Sequence, residues 1–91
     1  AQRAYDLGLI NQVVPSGTSL DAAKTLAAKI AANGPLAVAA SMQVVSSAQD
    51  WTSDIMIDKQ NEIVMPVFVS EDAIEGATAF AEKRAPNWKG K

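Results

Sequence analysis

Apolar residues recur three or four positions apart along most of the chain, which is the spacing of one face of an α-helix. Prolines, glycines and candidate helix caps divide this pattern into four segments. The segments predict helices over about residues 19–32, 35–47, 50–65 and 71–84. The predicted fold class is therefore mainly α.

A short run at residues 9–14 departs from the helical pattern. Its residues favour β structure and it ends at Pro15, so it predicts one short N-terminal strand at the edge of another sheet. The residues before it resemble the last turns of a helix ended by Gly8. Because the chain opens inside such a helix end, with Ala1 instead of Met, we expect it to be a piece of a longer protein.

The predicted helix at residues 35–47 contains no charged residue. A helix that is apolar nearly all round is normally buried on several sides. The chain has 17 alanines but only two Trp, two Phe and one Tyr, so its helices carry little large apolar surface. We therefore expect a thin core that packs against the surface of a partner.

The composition excludes several classes of function. A formal net charge of -2 and a pI of about 4.9 argue against nucleic-acid binding, which requires clustered Lys and Arg. The absence of Cys and His removes disulfides, thiol chemistry, and the commonest general base and metal ligand. No apolar run approaches the roughly 18 residues that a membrane-spanning helix needs, and we expect a cytoplasmic protein.

The ten carboxylates are the remaining candidates for acid–base chemistry. Asp54 and Asp58 lie one helical turn apart, and Glu71, Asp72 and Glu75 cluster near the start of the last predicted helix. Catalytic tuning of a carboxylate requires burial or a like-charged neighbour in a cleft. All five are expected on solvated polar faces, so no catalytic residue and no metal site are predicted.

Aromatic and basic residues gather at the end of the last predicted helix. Phe80, Lys83 and Arg84 lie within about one turn, and Trp88 and Lys89 follow. Two cations beside an aromatic ring can hold a phosphate group and stack a nucleotide base. In the alternative interpretation the cations only complement the helix dipole and Phe80 belongs to the core.

Several stretches, in this order along the chain, resemble the crotonase (enoyl-CoA hydratase/isomerase) family. They are residues 7–15, 31–37, 70–76, 79–84 and 86–90, so they are distributed along essentially the whole chain. The resemblance implies that residues 1–91 form the C-terminal helical domain of a crotonase-like α/β fold. This domain would cover the CoA and mediate trimerisation, and the catalytic spiral of ββα units would lie upstream, outside this chain.

The resemblance also implies a function. The longer protein would act on acyl-CoA thioesters, most typically by hydrating a trans-2-enoyl-CoA in fatty-acid metabolism, with enoyl-CoA isomerisation as an alternative chemistry. Backbone N–H groups that stabilise the thioester oxyanion, and two glutamates, lie upstream in that family. This chain alone would therefore be inactive. No cofactor is implied, because acyl-CoA is the substrate, and the expected assembly is a homo-oligomer, either trimer or hexamer.

The site residues implied by the resemblance are Phe80 and Lys83, which match family positions that approach the adenine and phosphate end of CoA. Arg84 would be structural or at the rim. Many relatives carry basic residues on the helix after Gly-Pro-Leu-Ala, where this chain has Ala39, Met42 and Gln43. Two alternatives remain, namely a purely structural assembly module without ligand contact and a free-standing helical interaction domain.

Overall fold

The computed structural model describes residues 1–91 and consists of helices joined by turns and loops. The five α-helices are α1 (Gln2–Asp6), α2 (Ser19–Ala31), α3 (Pro35–Ser47), α4 (Met56–Phe68) and α5 (Glu71–Glu82), with a 3₁₀ turn at Ala48–Asp50. The mainly α prediction is confirmed. The predicted bounds match best for α3, where Pro35 at the first helical position starts the helix.

The predicted N-terminal strand is wrong. Residues 9–14 form bends and extended loop, and the 91 residues of the structure contain no strand. A strand exists only where a second strand accepts and donates its backbone hydrogen bonds. No other segment of this chain offers that partner, so the β propensity of the run is not expressed.

The third predicted helix is displaced towards the C-terminus. It was expected from about residue 50 to Met65 with Pro66 ending or kinking it, but α4 begins at Met56 and runs through Pro66 to Phe68. A proline removes one hydrogen bond to the preceding turn, and its ring crowds the carbonyl four residues earlier. Near the last turn that single loss does not stop the helix.

Two compact units make up the chain, Ala1–Ile30 and Ala31–Lys91. In the first, Gly8 at φ 73° follows α1, and the Leu9 N–H donates to the Ala4 carbonyl at 2.9 Å. Before α2, the Thr18 hydroxyl donates to the Pro15 carbonyl at 2.8 Å and closes a turn. This unit contains no fully buried side chain.

The second unit contains α3, α4 and α5, with α4 packed against both of the others. Its buried residues are small or polar, namely Ala40, Ser70, Asp72 and Ala79. Large apolar side chains on α3 remain open to solvent within this chain. As expected from the sequence, the chain does not cover this uncharged helix. None of the helices is both long enough and apolar enough to cross a membrane.

Candidate functional site

The N-terminus of α5 is built around the predicted cap, Ser70. Its Oγ accepts a hydrogen bond from the Ala73 N–H at 3.1 Å and donates to the Val67 carbonyl at 2.6 Å. The first bond satisfies one of the backbone donors that a helix start leaves open, and the second ties α5 to the end of α4. The helix on which the candidate site lies is therefore anchored at its start.

The C-terminus of α5 ends at Lys83 in the left-handed conformation, with φ 56° and ψ 39°. The next N–H, of Arg84, donates to the Ala79 carbonyl at 3.0 Å, which is the closing bond of a Schellman motif. Glycine normally occupies this position because a side chain there is strained. Lys83 is the only non-glycine residue in the chain with a positive φ.

The Lys83 side chain folds back over Phe80, with Nζ 4.3 Å from the centre of the ring. Phe80 is 76% exposed, so the interpretation of Phe80 as a core residue is wrong for this chain. The structure therefore brings the two predicted site residues together on an open surface. It forms a cation–π pair of the kind that can meet both a phosphate and an aromatic base.

Lys83 differs from the other cations near the end of α5. Arg84 is paired with two glutamates, and both Lys89 and Lys91 approach Glu71, at 3.4 and 3.7 Å. Lys83 forms no ion pair with a carboxylate. Its ammonium is thus the one basic group of this region whose charge no carboxylate of the chain neutralises.

Arg84 is held by Glu75 and Glu82. Its Nη1 and Nη2 donate to Glu75 Oε1 and Oε2 at 2.7 and 3.0 Å, and its Nε donates to Glu82 Oε2 at 2.6 Å. The same Glu75 Oε1 accepts from the Asn87 N–H at 2.7 Å. Mainly because of Arg84, and then Asn87, the pKa of Glu75 is lowered from 4.5 to about 2. Glu75, followed by Glu82, raises the pKa of Arg84 above its usual range.

Asp72 binds the chain that follows α5. It is 4% exposed, and its Oδ1 and Oδ2 accept the Lys89 and Gly90 N–H groups at 2.7 and 2.9 Å. Its own N–H donates to the Lys91 carbonyl at 3.0 Å. The prediction that this carboxylate lies on a solvated face is wrong, because backbone N–H groups replace the water that it loses on burial.

The same prediction fails for Glu75, which is half-buried and bonded to Arg84 and Asn87. Asp54 and Asp58 are exposed on the surface, as expected. A hydrogen bond from the Thr52 side chain lowers the pKa of Asp54. The structure contains no group of three Asp or Glu residues that could hold a metal ion.

Residues 85–91, here called the C-terminal strap, return along α5 and carry Trp88 into the unit. The Trp88 Nε1 donates to the Ala32 carbonyl at 2.9 Å. Its ring covers Gly34 and Gly76, where an added Cβ would lie 3.5 and 3.1 Å from ring atoms. Trp88 is therefore structural and is not part of the Phe80–Lys83 pair. The sequence contained one signal for these contacts of Trp88, namely a tryptophan in a tail that shows neither a helical nor a strand pattern.

An apolar cleft of about 270 Å³ lies beside the strap, between the start of α3, the end of α4 and α5. Leu36, Ala37, Val67, Phe68 and Trp88 are among its lining residues. Asp72 is the one carboxylate that touches it, and backbone N–H groups already occupy both oxygens of that carboxylate. The cleft can accept an apolar group, but its lining offers no available acid or base.

Comparisons with known proteins assign the whole chain to one family. The family model for enoyl-CoA hydratase/isomerase matches residues 1–91. The enoyl-CoA hydratase EchA19 of Mycobacterium tuberculosis is 43% identical over 91 residues, which is 100% of this chain and 34% of that protein. The carnitinyl-CoA dehydratase of Proteus mirabilis is 39% identical over 99 residues, covering 100% of this chain and 36% of that protein.

A solved structure shows that the fold is shared as well. A probable enoyl-CoA hydratase/isomerase from Mycobacterium abscessus superposes with a TM-score of 0.96 at 56% identity, over 100% of this chain and 36% of that one. The chain belongs to the enoyl-CoA hydratase/isomerase family. It spans about a third of the length of the relatives that it matches.

Proposed function

We propose that this chain is the C-terminal helical region of an enzyme that hydrates 2-enoyl-CoA thioesters. The observation that carries the proposal is the family match over residues 1–91, together with relatives named as a hydratase and a dehydratase of CoA thioesters. In this proposal the catalytic groups belong to the rest of the enzyme. The helical region binds the CoA, closes the acyl pocket and contacts neighbouring subunits of a trimer or hexamer.

The CoA-binding role is assigned to Phe80 and Lys83. The unpaired ammonium of Lys83 can donate to a phosphate, and the exposed ring of Phe80 offers a stacking surface for adenine. A hydrogen bond to a charged group contributes about 1.5–3 kcal/mol, which is about 10- to 150-fold in affinity. The pair combines the two kinds of contact that an adenine nucleotide carrying phosphate groups requires.

The closing and assembly roles rest on apolar surface that this chain leaves uncovered. Met42 and Val45 of α3 are 68% and 73% exposed, and Phe68 at the end of α4 is 69% exposed. Surfaces of this kind are typically covered by another part of the same enzyme or by a second subunit. Ala39, Met42 and Gln43 add no cation to α3, so the proposed phosphate contact comes from Lys83 alone.

The activity is tested with the longer enzyme that contains this region, by following the absorbance of the enoyl thioester of crotonyl-CoA. Loss of absorbance is the expected result, because hydration removes the conjugated double bond. If the enzyme binds CoA but leaves the absorbance unchanged, the reaction is another of this family, such as isomerisation. If the enzyme neither removes the absorbance nor binds CoA, the proposal is contradicted.

The CoA contact is tested by replacing Lys83 with Ala in the same enzyme. We expect Lys83→Ala to weaken CoA binding at least about tenfold, since one charged hydrogen bond is lost, and to leave turnover at saturating substrate unchanged. Lys59→Ala is the matched control, because Lys59 is another exposed lysine but pairs with Glu62 at 3.3 Å. Unchanged CoA affinity in Lys83→Ala would support the purely structural interpretation.

A further inference from the structure

Glu75 binds the chain on the C-terminal side of Lys83 at two points. Its carboxylate accepts hydrogen bonds from both terminal nitrogens of Arg84, which directly follows Lys83. It also accepts a hydrogen bond from the N–H of Asn87, three residues further along the chain. Both contacts run from the body of α5 to the segment that leaves it. They define the direction in which the chain departs immediately after Lys83.

The backbone of Lys83 needs such support. A left-handed conformation is unfavourable for an ordinary residue, because its Cβ approaches the following carbonyl oxygen. It persists where the surrounding structure holds it in place, and such sites are often functional. Here two kinds of bond hold Arg84, the residue that follows Lys83, in place. Its N–H donates to the Ala79 carbonyl, and its side chain donates to Glu75.

The conformation of Lys83 has a consequence for its side chain. The backbone turn at this residue directs the side chain back over α5, and Nζ lies 4.3 Å from the centre of the Phe80 ring. If Arg84 were released, Lys83 could return to an ordinary backbone conformation and Nζ would leave the ring. The Phe80–Lys83 pair is therefore tied to the bonds that Glu75 makes.

We propose that Glu75 is a positioning residue for CoA binding, which holds Arg84 and Asn87 so that Lys83 presents its ammonium beside Phe80. The inference rests on the proposed role of Lys83 in binding CoA. Glu75 itself does not touch the ligand in this proposal. Its contribution reaches CoA only through Lys83.

Simple electrostatics predicts the opposite sign for removal of Glu75. Neutralising a carboxylate near a phosphate site reduces repulsion and also frees the charge of Arg84, and both changes strengthen anion binding. Positioning instead predicts weaker binding, because the ammonium of Lys83 loses its fixed place. The sign of the change therefore separates the two mechanisms.

The test is a double-mutant cycle in the longer enzyme, with CoA as the ligand and titration calorimetry as the measurement. Glu75→Gln is expected to weaken CoA binding about three- to tenfold in the presence of Lys83, and to have no further effect in the Lys83→Ala background. KM for the thioester should rise in Glu75→Gln while kcat stays unchanged. Glu62→Gln, which removes an exposed paired carboxylate on α4, is the matched control and should change nothing.

Equal weakening by Glu75→Gln with and without Lys83 would overturn the inference, and so would unchanged or tighter binding in Glu75→Gln. These outcomes differ from failure of the proposed function, in which Lys83→Ala alone leaves CoA affinity unchanged and both proposals fall. If circular dichroism shows that Glu75→Gln is not folded, Arg84→Lys replaces it in the cycle. That variant keeps the charge but loses the two-pronged bond to Glu75, and the same result is expected.

Discussion

Helices α3 and α5 belong to the same compact unit but differ in how their surfaces are used. The uncharged α3 exposes large apolar side chains such as Met42 and Val45 and buries only Ala40. In contrast, α5 uses Ser70, Asp72 and Glu75 to bind the chain before and after it. The α3 surface keeps these apolar side chains uncovered within this chain, whereas the polar side chains of α5 bind segments of their own chain.

This difference shows how a region with a thin core can still hold one site in a defined geometry. Apolar contacts without large side chains contribute little per residue and do not specify direction. The bonds of Asp72 and Glu75 are directional and join residues 9 to 18 positions apart in sequence. The polar network around α5 therefore holds the segment that follows Lys83, while α3 keeps its large apolar side chains exposed.

The largest expected effect is weaker docking of the C-terminal strap in the variant Trp88→Ala. The variant removes the ring that covers Gly34 and Gly76 and the bond to Ala32, so we expect the free energy of strap opening to fall by about 2–4 kcal/mol. Amide hydrogen exchange of residues 87–91 in the longer enzyme measures this opening. Trp88→Phe keeps an aromatic ring but loses the bond to Ala32 and part of the contact with the two glycines, so we expect a smaller loss than in Trp88→Ala. Equal exchange in Trp88→Ala and the wild type would show that the polar network suffices alone.

The next effect is expected from Asp72→Asn. One of the two strap N–H groups then faces an amide nitrogen instead of an oxygen, which costs about 1.5–3 kcal/mol for a bond to a charged group. Faster exchange at the Lys89 and Gly90 amides is the measurement. Asp58→Asn, on an exposed face of α4, is the matched control and should stay within about 0.5 kcal/mol of the wild type. Similar exchange in both variants would contradict the assigned role of Asp72.

A smaller change of opposite sign is expected from Lys83→Gly. Glycine adopts the left-handed conformation without the side-chain penalty, so the end of α5 should gain about 1 kcal/mol in stability. CoA binding should weaken as in Lys83→Ala, because the ammonium is lost in both variants. Thermal unfolding and CoA titration of the two variants test this trade between stability and binding. A Lys83→Gly protein that is less stable than Lys83→Ala would show that the backbone at this position is not strained.

The smallest effect is expected on lowering the pH, which weakens docking of the strap. The pKa of Glu75 is about 2, below its ordinary 4.5, first because of Arg84 and then because of the Asn87 N–H of the strap, so the docked form binds the proton more weakly than a form in which these bonds are broken. The contribution of Glu75 to docking is therefore complete above about pH 4.5 and is lost as the pH falls towards 2. Trp88 fluorescence followed from pH 6 to pH 2 measures the release of the strap. Glu75→Gln lacks this titration, and an identical acid transition in that variant would exclude Glu75 as its origin.

The helices were predictable because their signals are local. Pro35 starts α3, Ser70 caps α5, and apolar spacing marks the residues between them. Phe80, Lys83 and Arg84 could be grouped because they lie within about one helical turn, and the family resemblance then singled out Phe80 and Lys83. The β-prone run at residues 9–14 shows the limit of such signals, since a strand depends on a partner that propensity does not supply.

The sequence by itself determined where α3 and α5 form and which residues stand at the end of α5. Only the tertiary structure decided that Lys83 is left-handed, that Arg84 turns to Glu75, and that Asp72 is buried beneath the strap. For Asp72 and Glu75 the physical reason is that their carboxylates accept backbone N–H groups 12 to 18 residues away. Every residue except proline carries such an N–H, so side-chain patterns do not reveal which one a carboxylate will bind.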